Sequence, residues 1–325
     1  MQNMFIQFLI LAAGLLLILL GANYLVDGAS GVARKSGISE FLIGLTIVGI
    51  GTSTPEMVVS FISAFQHKAD MAIGNVIGSN IFNTTMILGI TALITPLVIT
   101  RRNLKKDIPL NIAVTGLLIM LGMKKSLFGI GEDRLGHIDG ILLLAIFTWY
   151  IWTSFSHDSQ NVTETEQEQP AKQYPTTVAV LMIIGGIAAL VGGGKLFVNS
   201  AANIAERLHL SEKFIAITVM SVGTSLPELA TCVVAAIKGR GQLALGNILG
   251  SNISNILLVL GGSAVIAPLS FSGMSPVDLG AVMISSIFLL ASAYTFEVKK
   301  LDRFEGGMLL AMEAAYMTWL FTNHL

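Results

Sequence analysis

The sequence predicts an all-α polytopic membrane protein with ten transmembrane helices. They form two inverted five-helix repeats, with helices broken at a buried ion site. Three observations predict this. Of 325 residues, 53% are hydrophobic and only 12% charged, with a mean hydropathy of +0.75, whereas soluble domains carry roughly 25% charged residues. Ten apolar runs each approach the ~20 residues a helix needs to cross hydrocarbon. Two polar motifs recur inside those runs at one fixed offset.

The runs lie at 5–26, 38–65, 71–95, 108–123, 138–155, 177–199, 212–237, 243–267, 277–296 and 307–323. The first has no Lys or Arg ahead of it, because the first basic residue is Arg34. It therefore reads as a membrane helix rather than a cleavable leader. The fourth is the shortest. The connections are brief except for Ser156 to Pro175, "SHDSQNVTETEQEQPAKQYP", a polar, acidic linker. The expected division is a first repeat at 1–155, the linker at 156–175 and a second repeat at 176–325. Asn161 begins a glycosylation-type tripeptide, on the cytoplasmic side in the topology below.

Net charge is −1, which argues against a nucleic-acid partner. The lone Cys232 can form no internal disulfide. Lys and Arg favour cytoplasmic loops. With both termini outside, twelve basic residues fall in inside loops and seven outside, so this orientation in the cell (inner) membrane is expected.

"GTSTPE" ends at Glu56 and "GTSLPE" at Glu228, 172 residues apart. The same offset pairs the 18 residues from Ser39 with those from Ser211, nine of them identical. It also pairs "GNVIGSNIFN" from Gly74 with "GNILGSNISN" from Gly246, and it holds at Pro96 and Pro268. This is an internal duplication. Five spans per repeat is an odd number, so the second repeat starts on the opposite side, the inverted arrangement of many secondary transporters.

Pro55 and Pro227 lack an N–H, and each ring crowds the carbonyl four residues back, Gly51 or Gly223. The helix is expected to break at 49–55 and at the equivalent segment. A freed carbonyl in hydrocarbon needs a partner, and a bound cation can provide one. The break gathers Thr52, Ser53 and Glu56, and Thr224, Ser225 and Glu228. These are hard oxygen donors of the kind Ca²⁺ takes in sixes to eights. No paired His or Cys lies in the spans, against a transition-metal site. A mid-membrane carboxylate costs at least ~2.5–3.5 kcal/mol on insertion scales, and two in equivalent positions point to a function. The bland readings are protonated glutamates bonded to neighbouring helices and prolines that only kink.

On the next span of each repeat, Asn75, Ser79 and Asn83, and Asn247, Ser251 and Asn255, recur every four residues on one face. They suit cation coordination beside the glutamates, or interhelical hydrogen bonding. Gly74 and Gly78, with Gly246 and Gly250, give the spacing of close helix packing. Asn80 and Asn252 lie off the polar stripe and read as packing or hinge residues. The five histidines read as solvated, and Asp27 as a boundary residue.

At these residues the sequence resembles the calcium:cation antiporter superfamily, of the prokaryotic sodium/calcium exchanger type. "GTSTPE", "GTSLPE", "GSNIFN" and "GSNISN" carry the resemblance, across both halves. It implies that Glu56 and Glu228 are the central Ca²⁺ ligands and that Thr52 and Thr224 add oxygens. Ser53, Ser79, Ser225 and Ser251 would line adjoining Na⁺ sites with the Gly49 and Ser221 carbonyls, and Asn83 would sit mid-cluster. The first and sixth helices would slide across this core. Asn255 departs from the family, since many sodium-coupled members have Asp there. This keeps protons open as counter-ion and puts K⁺ dependence in doubt.

The expectation is a monomeric antiporter that exports Ca²⁺ in exchange for Na⁺ by alternating access. It is not an enzyme and uses no cofactor. Ca²⁺/H⁺ antiport is the alternative, and a passive cation channel a more distant one.

Overall fold

The computed structural model describes residues 4–156, 174–207, 221–271, 273–294 and 299–324. The expected glycosylation tripeptide and most of the linker lie outside these residues. So does the stretch 208–220, which includes much of the predicted seventh span.

Helix α1 (Met4–Ser36) runs ten residues past its predicted end and closes at Gly37, which sits at φ +62°. The predicted second span is two helices, α2 (Glu40–Thr52) and α3 (Thr54–Phe65), bent by 47°. The bend falls at Ser53, within the predicted break. Helix α4 (Ala69–Ile94) follows, then α5 (Ile108–Gly122), the short α6 (Lys124–Phe128) and α7 (His137–Ser156). In the second half come α8 (Thr176–Arg207), α9 (Ser221–Thr224), α10 (Leu226–Ile237) and α11 (Gly241–Ile266). Helices α12 (Pro276–Ser292) and α13 (Arg303–His324) complete the chain. The predicted ninth span runs past the end of its helix at Ser292. Two short antiparallel pairs tie the helix ends: Leu97–Val98 with Lys300–Leu301, and Arg134–Leu135 with Leu269–Ser270.

Among the described residues, five helices are long and apolar enough to cross a membrane, and the α2/α3 pair makes a sixth as one bent span. Helices α10 and α12 are apolar but shorter. The chain is a multi-pass membrane protein.

Helices α4 and α11 form the core. In an 18-residue apolar window, 72% of α4 and 94% of α11 are buried, against 22% of α1. Leu, Phe and Ile on α1 instead point outward, as a lipid-facing surface requires. Helix α1 packs along α8 through reciprocal glycines. A Cβ on Gly14 would lie 2.9 Å from the Gly193 carbonyl, and one on Gly186 would lie 2.8 Å from the Gly21 carbonyl. Residue numbers rise on one helix as they fall on the other, so the two are antiparallel.

Both core helices contain a wide π-helical turn, Asn83–Ile87 in α4 and Asn255–Leu260 in α11. Single π turns inside α-helices frequently mark functional sites. Here each begins on a sequence-predicted site residue.

Candidate functional site

The breaks after Ser53 and Ser225 restart the chain as a new helix with proline near its first position. Pro55 lacks the N–H that would have continued the ladder to Gly51. The Gly51 carbonyl instead accepts the Thr54 hydroxyl at 2.7 Å. The freed carbonyl thus has a partner from within the chain. The break leaves Glu56 and Glu228 in the first turns of α3 and α10, where the positive end of the helix dipole favours a carboxylate.

Both glutamates have no solvent exposure. Glu56 Oε1 accepts Ser79 Oγ at 3.2 Å from its own half and Ser225 Oγ at 3.3 Å from the other. Glu228 Oε1 accepts Ser251 Oγ at 3.3 Å and Ser53 Oγ at 3.0 Å. Each of these serine bonds to one glutamate has its counterpart 172 residues away at the other. Ser225 also donates to Ser79 Oγ at 3.3 Å, which joins the two sets. The Gly49 carbonyl accepts Ser251 Oγ at 3.2 Å, and the Thr52 hydroxyl reaches Asn247 Oδ1 at 3.1 Å. Thr224 borders a cavity described below. Ser221 opens α9, but its side chain lies outside what is described.

One turn further along α4 and α11 is a layer of amides. Asn83 Nδ2 donates to Asn252 Oδ1 at 3.1 Å, and Asn255 Nδ2 donates to Asn80 Oδ1 at 3.0 Å. Asn80 Nδ2 then reaches the Asn252 carbonyl, and Asn252 Nδ2 the Thr84 hydroxyl. Asn80 and Asn252, read from the sequence as packing or hinge residues, bond across the contact between α4 and α11. They hold the amino groups of Asn83 and Asn255, which fixes the orientation of those amides. Their recurrence at the repeat offset was the available signal. Asn75, expected to join the polar stripe toward the ion cluster, instead donates to the Glu56 backbone carbonyl and to Ser60 Oγ, tying α4 to α3.

Around the two glutamates and the amide layer, four acceptor oxygens of the described residues are buried without a hydrogen-bond partner: Glu56 Oε2, Glu228 Oε2, Asn83 Oδ1 and Asn255 Oδ1. All four are hard oxygens in equivalent pairs. Among the described residues no three His, Cys, Asp or Glu gather in one group, so the donor set is carboxylate, amide and hydroxyl.

Glycines at the motif spacing differ between halves. A Cβ on Gly246 would meet the Phe41 carbonyl at 2.3 Å, and one on Gly250 the Leu45 carbonyl at 2.1 Å. Gly74 and Gly78 are partly exposed and line a cavity of about 400 Å³, together with Asn75, Ser79 and Thr224. The close packing predicted for both pairs holds for the second only.

The family model for sodium/calcium exchanger proteins matches residues 6–156 and 178–322. The chain belongs to the sodium/calcium exchanger family. It is 36% identical to CaxA of Alkalimonas amylolytica, over 98% of this chain and 100% of that one. It is 34% identical to the sodium/calcium exchanger MaX1 of Methanosarcina acetivorans, over 97% and 99%. The solved structure of the sodium-calcium exchanger NCX_Mj, soaked with 2.5 mM Na⁺ and 1 mM Sr²⁺, superimposes with a TM-score of 0.84 at 29% identity, covering 98% of this chain and 99% of that one. The family is one of transporters.

Proposed function

We propose that the protein is a secondary antiporter that exchanges Ca²⁺ for Na⁺ across the cell membrane by alternating access. Ten transmembrane helices form two inverted repeats, 1–155 and 176–325, joined by the 156–175 linker, with both termini outside. The antiparallel packing of α1 on α8 and the equivalent breaks at Ser53 and Ser225 support this architecture. The protein works as a monomer and without a cofactor.

The observation that carries the reading is the set of four buried acceptors without donors. Each buried unpaired acceptor costs about 1–3 kcal/mol, more when charged, and two carboxylates so close repel each other. A hard cation bound among them removes both costs. Glu56 and Glu228 supply the charge. Asn83 and Asn255 supply neutral oxygens, and Ser53, Ser79, Ser225, Ser251, Thr52 and Thr224 with the Gly49 and Ser221 carbonyls supply the surroundings. Two carboxylates balance one Ca²⁺. Na⁺ uses the same oxygens, so the ions compete and alternate. The cavity reaches Ser79, which bonds Glu56, and supports access from one face. With the termini outside, that face is the outer one, because the N-terminal ends of α4 and α12 lie there. Ca²⁺ leaves the cell as Na⁺ moves down its gradient.

Asn255 supports one second reading, Ca²⁺/H⁺ antiport, because two protons neutralise two carboxylates whereas three Na⁺ leave a positive charge. Liposomes loaded with Na⁺ or given a proton gradient separate the two by ⁴⁵Ca²⁺ uptake. Uptake that needs internal Na⁺ and ignores the pH gradient is expected. Uptake driven by protons alone transfers the assignment to the second reading. Flux that needs neither ion overturns antiport.

A further inference from the structure

The last helix contributes an acid that the exchange site above does not use. Glu313 on α13 is 4% exposed in a segment that the sequence places inside the bilayer. Intramembrane carboxylates are costly and mark ion paths. Its Oε2 lies 2.5 Å from the Thr85 hydroxyl. Thr85 belongs to the π turn that begins at Asn83. Glu313 Oε1 is buried with no partner.

Glu313 borders the same cavity as Ser79 and Thr224. A second acid, Asp278, borders it from α12 and accepts the Tyr316 hydroxyl at 2.9 Å. No Lys, Arg or His is among the described residues that line it. A concave surface with two acids, no base and largely apolar walls concentrates field lines and raises the local cation concentration. Glu313, Asp278 and the Tyr316 hydroxyl line this cavity with oxygen donors of the kind a hard divalent cation takes.

We propose that Glu313 anchors an accessory divalent-cation site in this cavity, where Ca²⁺ is held before it reaches Glu56 and Glu228. The site is separate from the central pair, and its test can be run without that pair. Tyr316 lines the cavity and stacks on Trp319 with ring centroids 6.3 Å apart, so a lanthanide bound there has an aromatic sensitiser beside it.

The experiment uses the full-length chain carrying Glu56→Gln and Glu228→Gln, with Tb³⁺ as the probe. Aromatic-sensitised Tb³⁺ luminescence that Ca²⁺ displaces is expected to persist in that background. It is expected to fall severalfold when Glu313→Gln is added and to be kept by Glu313→Asp. In otherwise unaltered protein, Glu313→Gln is expected to raise the half-saturating Ca²⁺ concentration about three- to tenfold at nearly constant maximal rate, the signature of lost cation focusing. Luminescence indifferent to Glu313→Gln overturns the proposal. So does a variant that loses maximal rate with its half-saturation unchanged, which is the mark of a structural role. Failure of the central reading looks different: Glu56→Gln and Glu228→Gln would then leave transport intact.

Discussion

The α4 and α11 helices carry nearly the same motif, yet their glycine faces are used in opposite ways. On α11, Gly246 and Gly250 are sealed against the backbone of α2, and there is no room for a side chain. On α4, Gly74 and Gly78 line an open cavity. Between these faces the serine–glutamate bonds and the Asn83–Asn252 and Asn255–Asn80 bonds recur in equivalent pairs. An equivalent sequence in two environments is what a two-state carrier requires. In the alternating access proposed above, the centre stays the same while one side is closed and the other open, and exchange of the two environments moves access across the membrane.

The largest expected effect tests the symmetric centre. Glu56→Gln and Glu228→Gln should each lower ⁴⁵Ca²⁺ exchange by about a hundredfold or more, because each removes a charge from a site whose opposing cation cannot then be balanced. Unequal losses would show that the halves are not equivalent at the centre. Next come the glycines. Gly250→Ala places a methyl group 2.1 Å from the Leu45 carbonyl and should lower stability by about 1–3 kcal/mol, read as a loss of melting temperature in detergent. Gly78→Ala meets no described atom within 4 Å and should leave the melting temperature nearly unchanged. Equal effects would break the comparison. Asn80→Ala and Asn252→Ala should each weaken Ca²⁺ binding about tenfold, near 1.4 kcal/mol, by releasing the amides of Asn255 and Asn83. Titration calorimetry checks this. The smallest effect is at the breaks themselves. Thr54→Val unpairs the Gly51 carbonyl and should cost about 1 kcal/mol in chemical denaturation. At the equivalent position the second half has Leu226, so Leu226→Val should cost little by comparison.

Much of this was legible in the sequence because its causes are local. Proline after Gly-Thr-Ser has one consequence for a helix, so the bend at Ser53 and the setting of Glu56 and Glu228 followed from spacing alone. Helical periodicity likewise put Ser79 and Ser251 on the polar face of their helices, and the family resemblance placed them at the ion cluster. The Asn80 and Asn252 contacts were not legible. They reach across from one repeat to the other, and single-helix periodicity says nothing of which face meets a second helix. The Thr54 cap was missed because the first partner sought for the freed carbonyl was an ion rather than the adjacent hydroxyl. Glu313 was missed because it has no counterpart motif. The open and closed glycine faces could not be read from the motifs, because Gly74 and Gly78 match Gly246 and Gly250 and the difference lies in what packs against them.

The most direct test of that asymmetry compares equivalent side chains. Asn75 lines the cavity and is partly exposed, whereas Asn247 has no solvent exposure. In a Cys232→Ala background, Asn75→Cys and Asn247→Cys are reacted in turn with a membrane-impermeant thiol reagent in right-side-out vesicles. The account predicts rapid labelling at position 75 and protection at position 247. It also predicts that the order reverses when the reagent is applied to inside-out vesicles under ions that favour the other state. Equal labelling of both positions from one face in every ion condition would contradict it.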